Sequence, residues 1–251
     1  MRRVRLAIWL GCLLAALPGA VPSSVLAAPL VVDLSNKQIR ITTGFTGTSL
    51  LLFGATDAAG DVVVVVRGPR HQVVVRRKER VAGIWVNGSA QSFNSVPGYY
   101  FVASSRPLKD ITDEATLDRL QIGVHRLRLS TTRPAPPGWV NKFRVGLVNL
   151  KKTQGLFSAS PERVSIVGDR LFRADLTFPA NVPTGAYTAD VYLFRNGQMV
   201  VSSKTTLAVR KAGLEATIFD FAHQHSAIYG IIAILIALFA GWLAGAIFRK
   251  V

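Results

Sequence analysis

The chain has 251 residues, with 30 Lys and Arg against 14 Asp and Glu for a formal charge of +16 at pH 7, a hydrophobic fraction of 49% and one cysteine. Apolar content this high excludes low-complexity disorder, a lone cysteine excludes a disulfide scaffold, and a polytopic carrier would need several long apolar runs. The basic and the apolar residues must therefore divide between different segments.

Met1-Arg2-Arg3-Val4-Arg5 is a basic start, Leu6 to Leu17 a short apolar run, and Val25-Leu26-Ala27 a small-residue cleavage site before Ala28. This is the pattern of a secretory signal peptide over 1–27, because the apolar run falls short of the roughly 20 residues that span a bilayer. Cys12 lies inside that run, so the mature chain is expected to hold no thiol for disulfides, catalysis or metal.

From Leu30 onward the signals are those of strands. Val62 to Val66, between the Asp57-Ala58-Ala59-Gly60 turn and Gly68-Pro69, reads as a buried strand. Val73 to Val75, Ile84 to Val86 before an Asn87-Gly88 turn, and Tyr99 to Val102 follow at the spacing of an antiparallel meander. Asp110 to Leu120 predicts a helix, with Asp110 or Thr112 as its N-cap. These elements make up an expected β-rich N-terminal domain, 28–133, with one short helix.

Ser130 to Gly138 carries Pro134, Pro136, Pro137 and Gly138, which cannot join a strand ladder, and a domain boundary is expected there. In the expected second domain, 134–212, Phe172, Ala174, Leu176 and Phe178 alternate with polar residues, as do Tyr187, Ala189, Val191 and Leu193. Asn196-Gly197 predicts a hairpin turn into Met199 to Val209. Pro183-Thr184-Gly185-Ala186-Tyr187 has the spacing of the tyrosine corner of Ig-like sandwiches, although the Cys pair of antibody domains is absent. The expected fold class is mainly β, with two β-sandwich-like ectodomain units, the second Ig-like, and one C-terminal transmembrane helix.

Leu214, Ile218 and Phe221 recur at i, i+4 and i+7, which predicts an amphipathic juxtamembrane segment over 213–226. Ala227 to Phe248 is uncharged over 22 residues, long enough as a helix to cross roughly 33 Å of bilayer. Arg249 and Lys250 then place the tail, 249–251, in the cytoplasm by the positive-inside rule. The expected topology is a single pass through the inner (cytoplasmic) membrane, with the ectodomain in the periplasm and the C-terminus cytoplasmic. Setting aside Arg2, Arg3, Arg5, Arg249 and Lys250 leaves 25 basic residues against 14 acidic, so the exported part carries about +11. Small anions or an anionic surface are its expected partners, and nucleic acid is not.

Arg76-Arg77-Lys78-Glu79-Arg80, with Arg67 and Arg70 just upstream, is the candidate anion-binding cluster. Alternate residues of a hairpin share a face, so Arg76 and Lys78 are placed to converge with Arg67 on a small anion or on lipid phosphates. The alternative is a solvated edge strand, since a charged turn is the commonest fate of such a run. His223-Gln224-His225 would hold a metal only if extended, and the helical period around it speaks for polar residues at the headgroups instead. Gly-x-Ser-x-Gly, His-Glu-x-x-His and P-loop signatures are missing, so neither catalytic residues, nor metal, nor cofactor is expected. Ala233, Ala237, Gly241 and Gly245 recur every four residues and would let the backbone of a second copy or of a polytopic transporter approach closely.

Arg67-Gly68-Pro69, Val75 to Arg80, Gly83 to Asn87, Phe221 to Gln224 and Leu238 to Gly245 together resemble the alphaproteobacterial transmembrane protein family. The resemblance implies an N-terminal signal, a C-terminal span and frequent genomic adjacency to sulfite exporters of the TauE/SafE type, with no site residues to carry over. The expectation is a non-enzymatic, membrane-anchored periplasmic accessory protein that assists a polytopic anion exporter; sulfite or an organosulfonate as the anion comes only from the resemblance. The alternative is an envelope structural or adhesion module on anionic lipid or cell-wall polymer.

Overall fold

The computed structural model describes residues 30–213 and 221–248. The expected signal peptide, Leu214 and Ile218 of the juxtamembrane segment, and the tail lie outside the described residues. Strands β1 (Leu30–Leu34), β2 (Gln38–Ile41), β3 (Gly47–Thr56), β4 (Asp61–Arg67), β5 (Arg70–Val81), β6 (Ile84–Pro97) and β7 (Tyr100–Ser104) come first. Helices α1 (Leu108–Ile111) and α2 (Glu114–Leu120), a 3-10 turn (Val124–Arg126), β8 (Ser130–Thr131) and α3 (Pro137–Thr153) follow. Then come β9 (Glu162–Arg163), β10 (Ser165–Val167), β11 (Leu171–Pro179), β12 (Gly185–Arg195), β13 (Gln198–Lys211) and the apolar helix α4 (Ser226–Phe248). The mainly-β expectation with one apolar C-terminal helix therefore holds.

Five consecutive valines give β4 branched apolar side chains on both faces, a composition that leaves no side for solvent. Val62 to Val66 are at most 1% exposed. β4 lies inside a six-stranded sheet of order β2-β13-β12-β4-β7-β9, antiparallel to both of its neighbours. A four-stranded sheet of order β1-β3-β11-β10 accompanies it.

Each face of β4 has its own cover. Val62, Val64 and Val66 share a face with Tyr187, Ala189, Val191 and Leu193, and the Tyr187 ring meets Phe178 of β11 edge-on with centroids 5.9 Å apart. That face packs on the four-stranded sheet. Val63, Val65 and Arg67 share the other face with Tyr100, whose hydroxyl donates to the Gln121 carbonyl at 2.7 Å and accepts from the Gly123 N–H at 2.8 Å. The α1, α2 and 3-10 segment thereby covers this side and buries Ile111, Leu117, Ile122 and Val124. Burial pushes the Tyr100 hydroxyl up to about 12, so it remains a donor at neutral pH.

Strand alternation in β11 is as expected: Phe172, Ala174, Leu176 and Phe178 are buried between exposed neighbours. The tyrosine-corner bond is also present, with the Tyr187 hydroxyl donating to the Pro183 carbonyl. Asn196 and Gly197, both at positive φ, make the expected turn.

Four local expectations are corrected. The boundary placed between 28–133 and 134–212 does not separate the sheets, because β3 pairs with β11 from Gly47↔Pro179 to Ala55↔Leu171 and β4 pairs with β12. The proline-rich segment instead starts α3, with Pro137 at the first turn, where its missing N–H costs nothing. The helix expected over Asp110 to Leu120 is broken at Thr112, whose hydroxyl donates to the Gly197 carbonyl at 2.6 Å; Asp113 caps α2 by accepting from the Thr116 N–H at 2.6 Å. Finally, the hairpin turn expected at Asn87-Gly88 lies at Ala82-Gly83, both at positive φ as a type I′ turn requires. Gly88 sits in a strand bulge beneath Glu79, where a Cβ would stand 2.2 Å from the carboxyl carbon.

Because strands from both halves share both sheets, unfolding of the full-length protein by denaturant, followed by tyrosine absorbance and by far-UV dichroism, should show one coincident transition for the β domain. Two transitions would mean independent halves. Asp61 at the start of β4 accepts from Arg106 Nε at 2.7 Å and from the Ser105 hydroxyl at 3.0 Å, and the guanidinium holds its carboxyl below the usual aspartate range. A depressed folded-state value stabilises the fold above the ordinary aspartate range and is lost as pH falls through it. Asp61→Asn should therefore lower the denaturation midpoint at pH 7, with the gap to the parent protein closing towards about pH 3.

Candidate functional site: the basic arm and its cleft

β5 and β6 leave the two large sheets as a long hairpin, with β8 as a short third strand. Its root is anchored by Phe93 and Val96, both fully buried, its middle faces α3 across a cleft, and its tip from Arg80 to Asn87 is exposed. Between Arg70 and Pro97 the arm has five cations, Arg70, Arg76, Arg77, Lys78 and Arg80, against the single acid Glu79. Its tip presents Val81, Ile84 and Trp85 side by side at 57%, 68% and 66% exposure, an apolar patch rimmed by cations.

Cross-strand partners share a face, so the pairs Arg80↔Trp85 and Lys78↔Asn87 put both cations beside the indole. Val81↔Ile84 and Glu79↔Val86 lie on the opposite face. Glu79 accepts from the Ser89 hydroxyl at 3.1 Å and lies 3.9 Å from Arg77 Nε.

The six cations of the expected cluster occupy four different places. Arg67 Nη1 donates to Asp190 at 2.6 Å, and its Nη2 donates to the carbonyls of Leu120 at 2.9 Å and Gln121 at 3.3 Å. With its side chain 13% exposed and both terminal nitrogens engaged, Arg67 ties β4 to β12 and to the end of α2 and does not converge with Arg76 and Lys78. Arg70, at the arm's root, shares an open depression of about 520 Å³ with Arg67, Arg119, Asp190, Tyr192 and Lys204. Arg76 and Arg77 line a smaller cleft of about 210 Å³, whose other wall is Trp139, Lys142, Phe143 and Gly146 of α3. Lys78 and Arg80 stand farther out with Trp85.

Trp139, Lys142 and Phe143 are the site residues that the sequence reading did not single out. Trp139, Phe143 and Gly146 follow the i, i+4, i+7 period of one helix face, and this signal was masked by the prolines before it. The Trp139 and Phe143 rings lie 5.0 Å apart, forming an aromatic wall under three cations. Chemically this suits a small anion with an apolar body: guanidinium and ammonium groups for the charged end, rings for the rest.

Ser226–Gly245 within α4 has a mean hydropathy of 2.4 and is a candidate span, close to the expected 227–248. Ala233, Ala237, Gly241 and Gly245 line one face, and among the described residues nothing beyond the helix's own adjoining backbone lies within 4 Å of a Cβ built on either glycine. Residues 221–224 are helical, so His223 and His225 are not the extended pair a metal would need, and no group of potential metal ligands occurs among the described residues.

Truncating the buried ion pair separates structure from surface. Arg67→Ala should cost on the order of 3 kcal/mol in chemical denaturation, since Asp190 is left without its main partner. Arg77→Ala should stay within about 0.5 kcal/mol, as expected of a solvated side chain. Equal costs would contradict a structural role for Arg67 and a solvated one for Arg77.

A family model described as "Putative transmembrane protein (Alph_Pro_TM)" matches residues 29–250. No curated protein matches the chain. Among solved structures, the crystal structure of Spo0M, a sporulation control protein from Bacillus subtilis, aligns at 10% identity and a TM-score of 0.29, over 79% of this chain and 56% of that one. The chain thus spans little more than half the length of that protein, and nothing is carried over from it. The blocks that bear the sequence resemblance, Arg67 to Asn87 from the end of β4 onto the arm and Phe221 to Gly245 at the span, fall inside the family match: the chain belongs to the Alph_Pro_TM family of transmembrane proteins, alphaproteobacterial by name.

Proposed function

We propose that this membrane protein is a non-enzymatic accessory factor whose β domain, held on the periplasmic side by α4, binds a small amphipathic anion for a polytopic anion exporter. The observation that carries the reading is the cleft between β5 and α3, where Arg76, Arg77 and Lys142 surround the Trp139 and Phe143 wall. Its volume of about 210 Å³ falls below the ~300–1,000 Å³ of drug-sized pockets, which favours a ligand the size of a small organosulfonate over a polymer. The basic start and cleavage pattern at 1–27 and Arg249-Lys250 support export of the domain across the inner membrane. The Tyr187 to Pro183 bond supports an Ig-like reading of the strands around it. The exporter as partner rests on the family's genomic neighbours, with the stripe from Ala233 to Gly245 as the surface on which it would pack.

Calorimetric titration of the full-length protein in zwitterionic nanodiscs with benzenesulfonate and with sulfite tests this reading. Saturable binding should weaken at high salt, because the cations are solvent-facing. Arg76→Ala with Lys142→Ala should weaken it at least tenfold, about 1.4 kcal/mol. Undiminished binding in that double variant would remove the cleft as the site.

A further inference from the structure

We propose that the tip of the arm is a second, separate binding element, a membrane-surface probe that seats Trp85 and Ile84 among anionic lipid headgroups. Both legs of the arm leave the six-stranded sheet at the end where β13 finishes. Gly185, opposite Val209 near the end of β13, has Pro69 of the β4–β5 connection 2.9 Å from where its Cβ would be, and the Gly98 N–H after β6 donates to the Pro69 carbonyl at 2.8 Å. From Lys211 the chain reaches α4 at Ser226, a tether of no more than about 50 Å even if fully extended. The arm's root is thus held close to the strand that leads into the candidate span, and the outer stretch from Arg76 to Val81 adds about 20 Å of reach.

The chemistry of the tip selects lipid over other occupants. Indole rings concentrate at the membrane–water boundary, and Ile84 and Val81 add apolar surface that water penalises. Lys78 and Arg80 flank Trp85 on one face, where long basic side chains can rest their stems on apolar surface and place their charge at phosphate level. The arm's one acid lies on the other face, held by Ser89 and Arg77, so nothing on the Trp85 face repels a phosphate. A second copy meeting tip to tip would bring five cations and one acid against the same charges and be repelled.

The test uses the full-length protein in nanodiscs, with Trp9, Trp139 and Trp242 replaced by Phe so that Trp85 alone emits. In discs containing phosphatidylglycerol, Trp85 should emit blue-shifted light and be quenched by lipids brominated near the headgroup. Lys78→Glu with Arg80→Glu, or discs of phosphatidylcholine alone, should abolish the quenching. A chain with Cys12→Ser and Ile84→Cys bearing an environment-sensitive fluorophore gives the same readout with the other tryptophans intact. Solvent-like, unquenched emission from both probes in phosphatidylglycerol discs overturns the proposal, as does quenching that survives the charge reversal. The outcome is independent of the cleft, which the sulfonate titration reads through Arg76 and Lys142.

Discussion

The rest of the fold depends on one strand that needs cover on both sides. β4 carries five valines in sequence, all essentially inaccessible, and each buried valine contributes about 1.5–3 kcal/mol of transfer free energy. The four-stranded sheet covers one face, through the contact of Phe178 with Tyr187, and the segment from α1 to the 3-10 turn covers the other, through Tyr100. The chain that leaves β4 at Gly68 therefore enters a region where both faces of the six-stranded sheet are taken. The outer part of β5 and β6 stands off these sheets, facing α3 across a cleft, and its composition, basic with an apolar tip, is that of a surface.

The same constraint decides the fate of individual cations. Arg67 ends β4 on the face closed by α2, so its charge is met by Asp190 and its remaining donors by helix-end carbonyls. Arg70, three residues later, is already at the root of the arm and exposed. Adjacency in sequence thus conceals a change from structural to solvent-facing cation within one turn. Asp190 lies 123 positions away, and a local reading of charge runs has no access to such a partner.

What was legible in the sequence was whatever a short window encodes. The valine run, the two-residue period of Phe172 to Phe178, the Tyr187 corner and the apolar run of α4 each express a local requirement, and the structure shows all four. Pairing across the chain was not legible, because the β3–β11 and β4–β12 registers join segments more than a hundred residues apart and no local pattern names the partner. Pro136-Pro137 was read as a separator, yet the same residues are suited to the start of a helix; the choice between the two rested on the apolar period of α3 that follows. The cleft needs both kinds of information, since Arg76 and Arg77 come from the visible charge run and Trp139, Lys142 and Phe143 from a helix whose first residues, Pro137 and Gly138, read locally as the end of a linker.

The proposed function places ligand binding in the cleft between β5 and α3. Hydrogen exchange of the full-length protein in nanodiscs, with and without saturating benzenesulfonate, tests that placement without altering a residue. The account predicts slower exchange confined to the middle of β5 and the first half of α3, with β4 and the Arg67–Asp190 wall unchanged. Protection appearing instead around Arg67, Arg70 and Arg119, or at neither place, would contradict it.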